Sequence, residues 1–179
     1  MKQITKLLVL SSLLLTTAVA QAQWKPDDAS GIELAVAQAM LLAKSKDPGM
    51  ERWFKSAYAY AVFPRVAKGG IGIGGAHGKG IVIRGDKTIG DTSLSQISIG
   101  LQLGGQVYAE YIMFKDVTAL DNFRRGNYEM GAQLSAVALT AGASLDAAYD
   151  GGVAIFTVAE GGLMFEASVG GQKYKYKDR

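Results

Sequence analysis

The chain has 179 residues, with 19 Lys and Arg against 16 Asp and Glu, one histidine and no cysteine. Without cysteine there are no disulfides, thiolate metal sites or cysteine nucleophiles, and a single His77 leaves few soft metal ligands. The near balance of charge gives no footprint for nucleic acid, and the length suits one domain with a real core.

The first segment reads as an address. Lys2 and Lys6 precede an uncharged leucine-rich run from Leu7 to Leu15, followed by the small-residue sites Ala18-Val19-Ala20 and Ala20-Gln21-Ala22. This is the order of a secretory signal peptide over residues 1–22, cleaved after Ala20 or Ala22, with no nearby cysteine for a lipid anchor. Its removal takes both lysines and no acid, so 17 basic residues face 16 acidic ones and the net charge falls near +1. Residues 23–179 are then a single periplasmic or secreted domain, peripheral on a membrane if it meets one.

Two helices open that domain. Ser30-Gly31-Ile32-Glu33 has capping-box spacing and starts an Ala- and Leu-rich run to about Lys46, with Ile32, Val36, Met40 and Ala43 on one stripe. Asp47-Pro48-Gly49 breaks it, and a shorter helix follows through Glu51 and Ala57, with Trp53 and Phe54 as core anchors.

From Tyr58 the period changes to two. In "KGGIGIGGAHGKGIVIRG", Lys68 to Gly85, the pattern predicts a hairpin with Ile71 and Ile73 on one face, a turn around Gly75 to Gly78, and Ile81-Val82-Ile83 returning. Ile97, Ile99, Leu101 and Leu103 alternate with Gln96, Ser98, Gly100 and Gln102, the clearest half-buried strand. Gly104-Gly105 breaks the phase as a bulge would, and Val107, Ala109, Tyr111 and Met113 continue on a new register. A short helix from Asp116 to Arg125, capped by Asp116, precedes a strand from Tyr128 to Leu139. Val153 to Ala159 and Leu163 to Val169 form a closing hairpin around Glu160-Gly161-Gly162. Helices followed by many short strands predict an α+β fold, with N-terminal helices packed on a strongly curved, mainly antiparallel sheet that is a partly or fully closed barrel.

Catalytic readings find little support. No Ser stands in a G-x-S-x-G context, and no acidic run resembles a calcium loop. Gly70-x-Gly72-x-x-Gly75 matches a dinucleotide fingerprint only formally, because a strand follows it instead of a helix; Ile73 and Gly80 break the Walker pattern. Glu110, Glu129 and Glu166 occupy polar strand positions, where carboxylates are usually solvated. A membrane barrel is disfavoured by the two leading helices and by strands nearer seven residues than ten. The expectation is a non-enzyme without metal or cofactor.

The block "YAVFPRVAKGGIGIGGAHGKGIVIRG", Tyr60 to Gly85, with "ISIGLQLGGQV", Ile97 to Val107, and "AIFTVAEGGLMFEASVGG", Ala154 to Gly171, resembles the SYLF domain family across nearly all of the domain. The resemblance implies a lipid-binding module. Eukaryotic members are associated with phosphoinositide membranes and actin patches, bacterial members with secretion or lipid anchoring. With a signal peptide, and without an SH3 or FYVE companion, actin is not an expected partner here, and only the binding of acidic or amphiphilic lipid transfers. The family's basic block falls on Arg65, Lys68, Lys79 and Arg84, where cations beside a Gly-rich backbone can meet phosphate; Arg124 and Arg125 form a second patch. The expected function is a non-catalytic lipid-binding module of the bacterial cell envelope, with phospholipid or a membrane surface as partner. The alternative is an envelope structural or protein-interaction domain without lipid ligand.

Overall fold

The computed structural model describes residues 24–26, 31–126, 129–130 and 136–179. Residues 1–22, the Ser30 cap and half of the strand predicted over residues 128–139 lie outside them. Helix α1 spans Gly31–Lys46 and buries Val36, Ala39, Met40 and Ala43, the i, i+3, i+4, i+7 stripe of a helix covered on one side. Helix α2, Met50–Ser56, follows a turn stitched by Asp47, whose carboxylate accepts the Gly49 N–H at 2.9 Å and the Ser144 N–H at 2.7 Å. Trp53 Nε1 donates to the Ser144 carbonyl at 3.0 Å, so α2 is tied to the 3-10 turn Ala143–Leu145 by both side chains.

Three strands carry the sheet: β1 Ala59–Arg84, β2 Lys87–Phe114 and β5 Val153–Asp178. Strands usually run about 3–10 residues, and these have 26 to 28. They reach that length by bending. A Cβ placed on Gly80 would lie 2.3 Å from the Val62 carbonyl oxygen, and one on Gly78 would lie 2.8 Å from Val66 Cγ2, so the two halves of β1 touch. The corner falls at Gly72, whose φ of 71° is left-handed, a conformation cheap only for glycine. The sheet therefore folds over on itself, with the chain reversals at one end, the base, and the glycine corner at the other.

Each expected hairpin is one of these bends. Residues 75–78 are continuous strand in β1, and the real hairpin turn is Gly85-Asp86, joining Arg84 to Lys87. Glu160-Gly161-Gly162 likewise lies inside β5, which pairs with β2 along its whole length. Odd-numbered residues of β2 keep one face from Ile97 through Met113, so the phase does not break at Gly104-Gly105.

Pairing runs in the order β1-β2-β5-β3, with β3 at Glu129–Met130 and β4, Val137–Ala138, joining β5 in parallel. No pairing among the described residues returns to β1, which corrects the barrel expectation: the sheet curves by doubling over at glycine and stays open. The α+β class and the mainly antiparallel sheet stand.

Two cores result. On the helix side, Val36, Met40, Ala43, Trp53 and Phe54 pack on Tyr60, Val62, Ile81, Tyr111, Met113 and Phe156, with Trp53 edge-on to Phe156 at 5.0 Å. Inside the folded sheet, Phe63, Val82, Leu94, Ile112 and Phe114 meet helix α3, Val117–Arg124, through Leu120 and Phe123. Asp116 caps α3 as expected, its Oδ1 accepting the Ala119 N–H at 2.9 Å.

Candidate functional site: an apolar corner bordered by lysines

Toward the corner the usual pattern inverts. Ile71, Ile73, Ile97, Ile99, Leu101, Leu103 and Leu163 point outward and are 61% to 91% exposed. Their inward neighbours Ser98 and Gln102 are 1% and 2% exposed. Alternation over 96–103 thus marks a strand, but its isoleucines face solvent and its polar residues are buried, the reverse of the expected side.

The buried polar residues hold the bend. Ser98 Oγ donates to Gln102 Oε1 at 2.9 Å, while Gln102 Nε2 donates to the Gly72 carbonyl at 3.2 Å and the Ser98 carbonyl at 3.1 Å. One amide thereby pins the β1 corner to the β2 corner, and its own polar atoms are satisfied, as burial demands. Among the described residues no helix packs over these apolar positions, whereas α1 and α2 cover Tyr111 and Met113 on the same face of β2.

Register carries the outer face from the corner into a row of cations. Antiparallel pairing sets Ile99 opposite Ile73 on β1, then Ser95 between His77 and Lys173, and Ser93 between Lys79 and Lys175. His77, Lys79, Lys173 and Lys175 are all exposed. Directly opposed residues share a face, so lysines lie beside the aliphatic group with small serines between them. His77 is a strand residue here, where a turn residue was expected.

The six cations singled out in the sequence do not form one site. Lys79 belongs to the row just described. Lys68 opposes Gln106 on the inward face and acts electrostatically on Glu110. Arg65 stands in the β-bulge between Phe63 and Val66, at the edge of a groove under α1. Arg84 lies at the base with its guanidinium 4.5 Å from the Tyr58 ring centre. Arg124 is also at the base, paired to Asp178 at 2.5 Å and Asp121 at 3.7 Å, and Arg125 is exposed beside it. At about 3.3 Å of rise per residue, the eleven residues from Leu103 to Phe114 place the base roughly 35 Å from the corner. One strand thus carries the cations Lys68, Lys79 and Arg84 to an inner face, an outer face and the far end, so the basic block does not converge on one point. Lys173 and Lys175, which the sequence shows only as part of a basic tail, are brought beside Lys79 by the β2–β5 register, a long-range pairing no local pattern reveals.

Glu110 is also displaced from its expected surface position. It is 1% exposed inside the folded sheet, where Tyr174 Oη donates to Oε1 at 2.9 Å and Gln172 Nε2 to Oε2 at 3.3 Å. Desolvation raises its pKa from 4.5 to about 7, against the lowering effects of Tyr174, Gln172 and Lys68. The side chains of Glu129 and Glu166 lie outside the described residues. Among the described residues no group of three or more His, Asp or Glu is arranged to hold a metal ion, and no helix is long and apolar enough to cross a membrane.

No family model matches the chain. Over 138 residues, 76% of the chain, it is 31% identical to Beta cell expansion factor A of Aeromonas veronii. The matched stretch is 52% of that protein, so the chain spans about half the length of this relative.

Proposed function

We propose that the protein is a non-catalytic lipid-binding domain that docks peripherally on a membrane, its apolar corner entering the lipid surface and its lysine row meeting acidic headgroups. The observation that carries this reading is the concentration of seven large aliphatic side chains at one end of the fold, all exposed, with polar residues buried behind them. An exposed apolar patch rimmed by charge is the usual mark of an interaction surface. Lipid suits it because aliphatic groups gain about 0.8 kcal/mol per buried CH₂ while each nearby cation adds about 1 kcal/mol on an anionic surface. The resemblance to the SYLF family points the same way, and the leader-like segment makes a cell envelope the natural setting.

Co-sedimentation with phosphatidylglycerol and with phosphatidylcholine vesicles tests the reading. Binding is expected to the anionic vesicles, weakened by salt and reduced at least tenfold in Leu101→Asp. Retention of full binding in Leu101→Asp, or no binding to either vesicle, contradicts it. Salt-insensitive dimerisation that disappears in Leu101→Asp, with no vesicle binding, would instead assign the corner to a protein partner, the envelope-interaction alternative.

A further inference from the structure

Two of the register shifts in the sheet open onto the same groove. It runs along one flank of α1, holds about 390 Å³, and is floored by Ala35, Ala39 and Leu42. The register shift between Phe63 and Val66 on β1 puts Arg65 at its edge, and the shift on β5 opposite Val107 and Tyr108 puts Glu160 there too. Bulges re-aim side chains and recur beside binding sites. Here the two that flank β2 deliver a cation and an anion to one concave space. Among the described residues neither Arg65 nor Glu160 has an ion-pair partner, and both are exposed. Between them Tyr111 Oη donates to the Ala39 carbonyl at 2.6 Å, fixing α1 over the sheet and so fixing the groove's width.

We infer that this groove binds a zwitterion carrying a phosphate and an amine, of the kind presented by phosphatidylethanolamine. β1 and β5 are separated by two inter-strand spacings, about 10 Å. A long guanidinium from one side and a shorter carboxylate from the other leave room for a ligand whose two charges are several bonds apart. The planar guanidinium forks onto phosphate oxygens, and Glu160 accepts from the ammonium. Small Ala35 and Ala39 leave space for the linker, and Leu42 offers an apolar contact to the start of an acyl chain, beside Gln38. The choice of a phospholipid as source rests on the membrane-docking reading; the charge geometry of the groove does not.

The test titrates the full protein, by NMR shifts and calorimetry, with dihexanoyl-phosphatidylethanolamine, free phosphoethanolamine and dihexanoyl-phosphatidylglycerol. Saturable binding of the ethanolamine lipid is expected, with shifts at Ala35, Ala39 and Leu42. Phosphatidylglycerol, which lacks the amine, should bind at least tenfold more weakly, and Arg65→Gln and Glu160→Gln should each cost at least tenfold. Tighter binding of the lipid than of free phosphoethanolamine assigns the groove to a membrane lipid; equal binding assigns it to the soluble zwitterion. No saturable binding, equal affinity for the glycerol lipid, or indifference to both substitutions overturns the inference. Leu101→Ser separates the two ideas: it leaves this titration unchanged and weakens vesicle sedimentation, so either can fail alone.

Discussion

Replacing Glu110 by Gln should change how stability depends on pH. The carboxyl is buried between Tyr174 and Gln172, and desolvation moves its pKa from 4.5 to about 7. That difference, at 1.36 kcal/mol per unit, amounts to about 3 kcal/mol. The folded-state value is raised, so the folded protein holds its proton more tightly than the unfolded chain. This contribution is fully present below the unfolded value near 4.5 and is lost as pH rises through about 7. Glu110→Gln keeps the shape, accepts from Tyr174 through its amide oxygen and cannot ionise. Urea unfolding followed by tryptophan fluorescence at several pH values between 4.5 and 8.5 measures the effect. The variant should gain on the wild type between pH 4.5 and about 7, by up to about 3 kcal/mol, and keep that lead above it. A constant difference at every pH would refute the reasoning, because it would mean that Lys68 and the hydrogen bonds keep Glu110 ionised in the folded sheet.

Three further outcomes follow from the same geometry. Gly80→Ala should destabilise by about 1–3 kcal/mol, because the new methyl would meet the Val62 carbonyl where the halves of β1 touch; an unchanged thermal midpoint would show that the halves separate freely. Asp47→Asn should cost about 1–3 kcal/mol by weakening the acceptor for Ser144 and Gly49, as measured by urea unfolding near neutral pH. Although burial alone would raise the Asp47 pKa, these amide bonds hold it below 3.8, so its contribution should fade as pH falls through that range, and the variant should lack that fading. Finally, Ile99→Ser and Leu101→Ser should leave the thermal midpoint within about 2 °C of wild type, since surface changes away from packed features cost little; a large loss would show that the corner is buried in solution.

Local features were readable from sequence. The stripe of α1, the core roles of Trp53 and Phe54, and the Asp116 cap of α3 depend on residues within one or two turns of each other. The strand through Ile97 to Leu103 was readable too, but not which face it buries, because periodicity distinguishes two faces without saying what covers either. Gly-rich runs suit hairpin turns and bends alike, because glycine permits both; register with a neighbouring strand decides, and here it makes them bends. The lysine row escaped for the same reason: Lys79 and Lys175 are 96 positions apart and meet only across Ser93. The basic residues that stand close together in sequence are distributed by the long strands to different faces and ends.

The corner is the part of the molecule proposed to enter lipid. The chain has no cysteine, so Leu101→Cys and Val117→Cys each accept a single environment-sensitive fluorophore, one at the corner and one on exposed α3 at the base. On adding phosphatidylglycerol vesicles, the label at position 101 should shift to the blue and become accessible to quenchers placed in the acyl chains, while the label at 117 stays in water. Unshifted emission at 101 with vesicles sedimenting the protein, or equal shifts at both positions, would contradict the account.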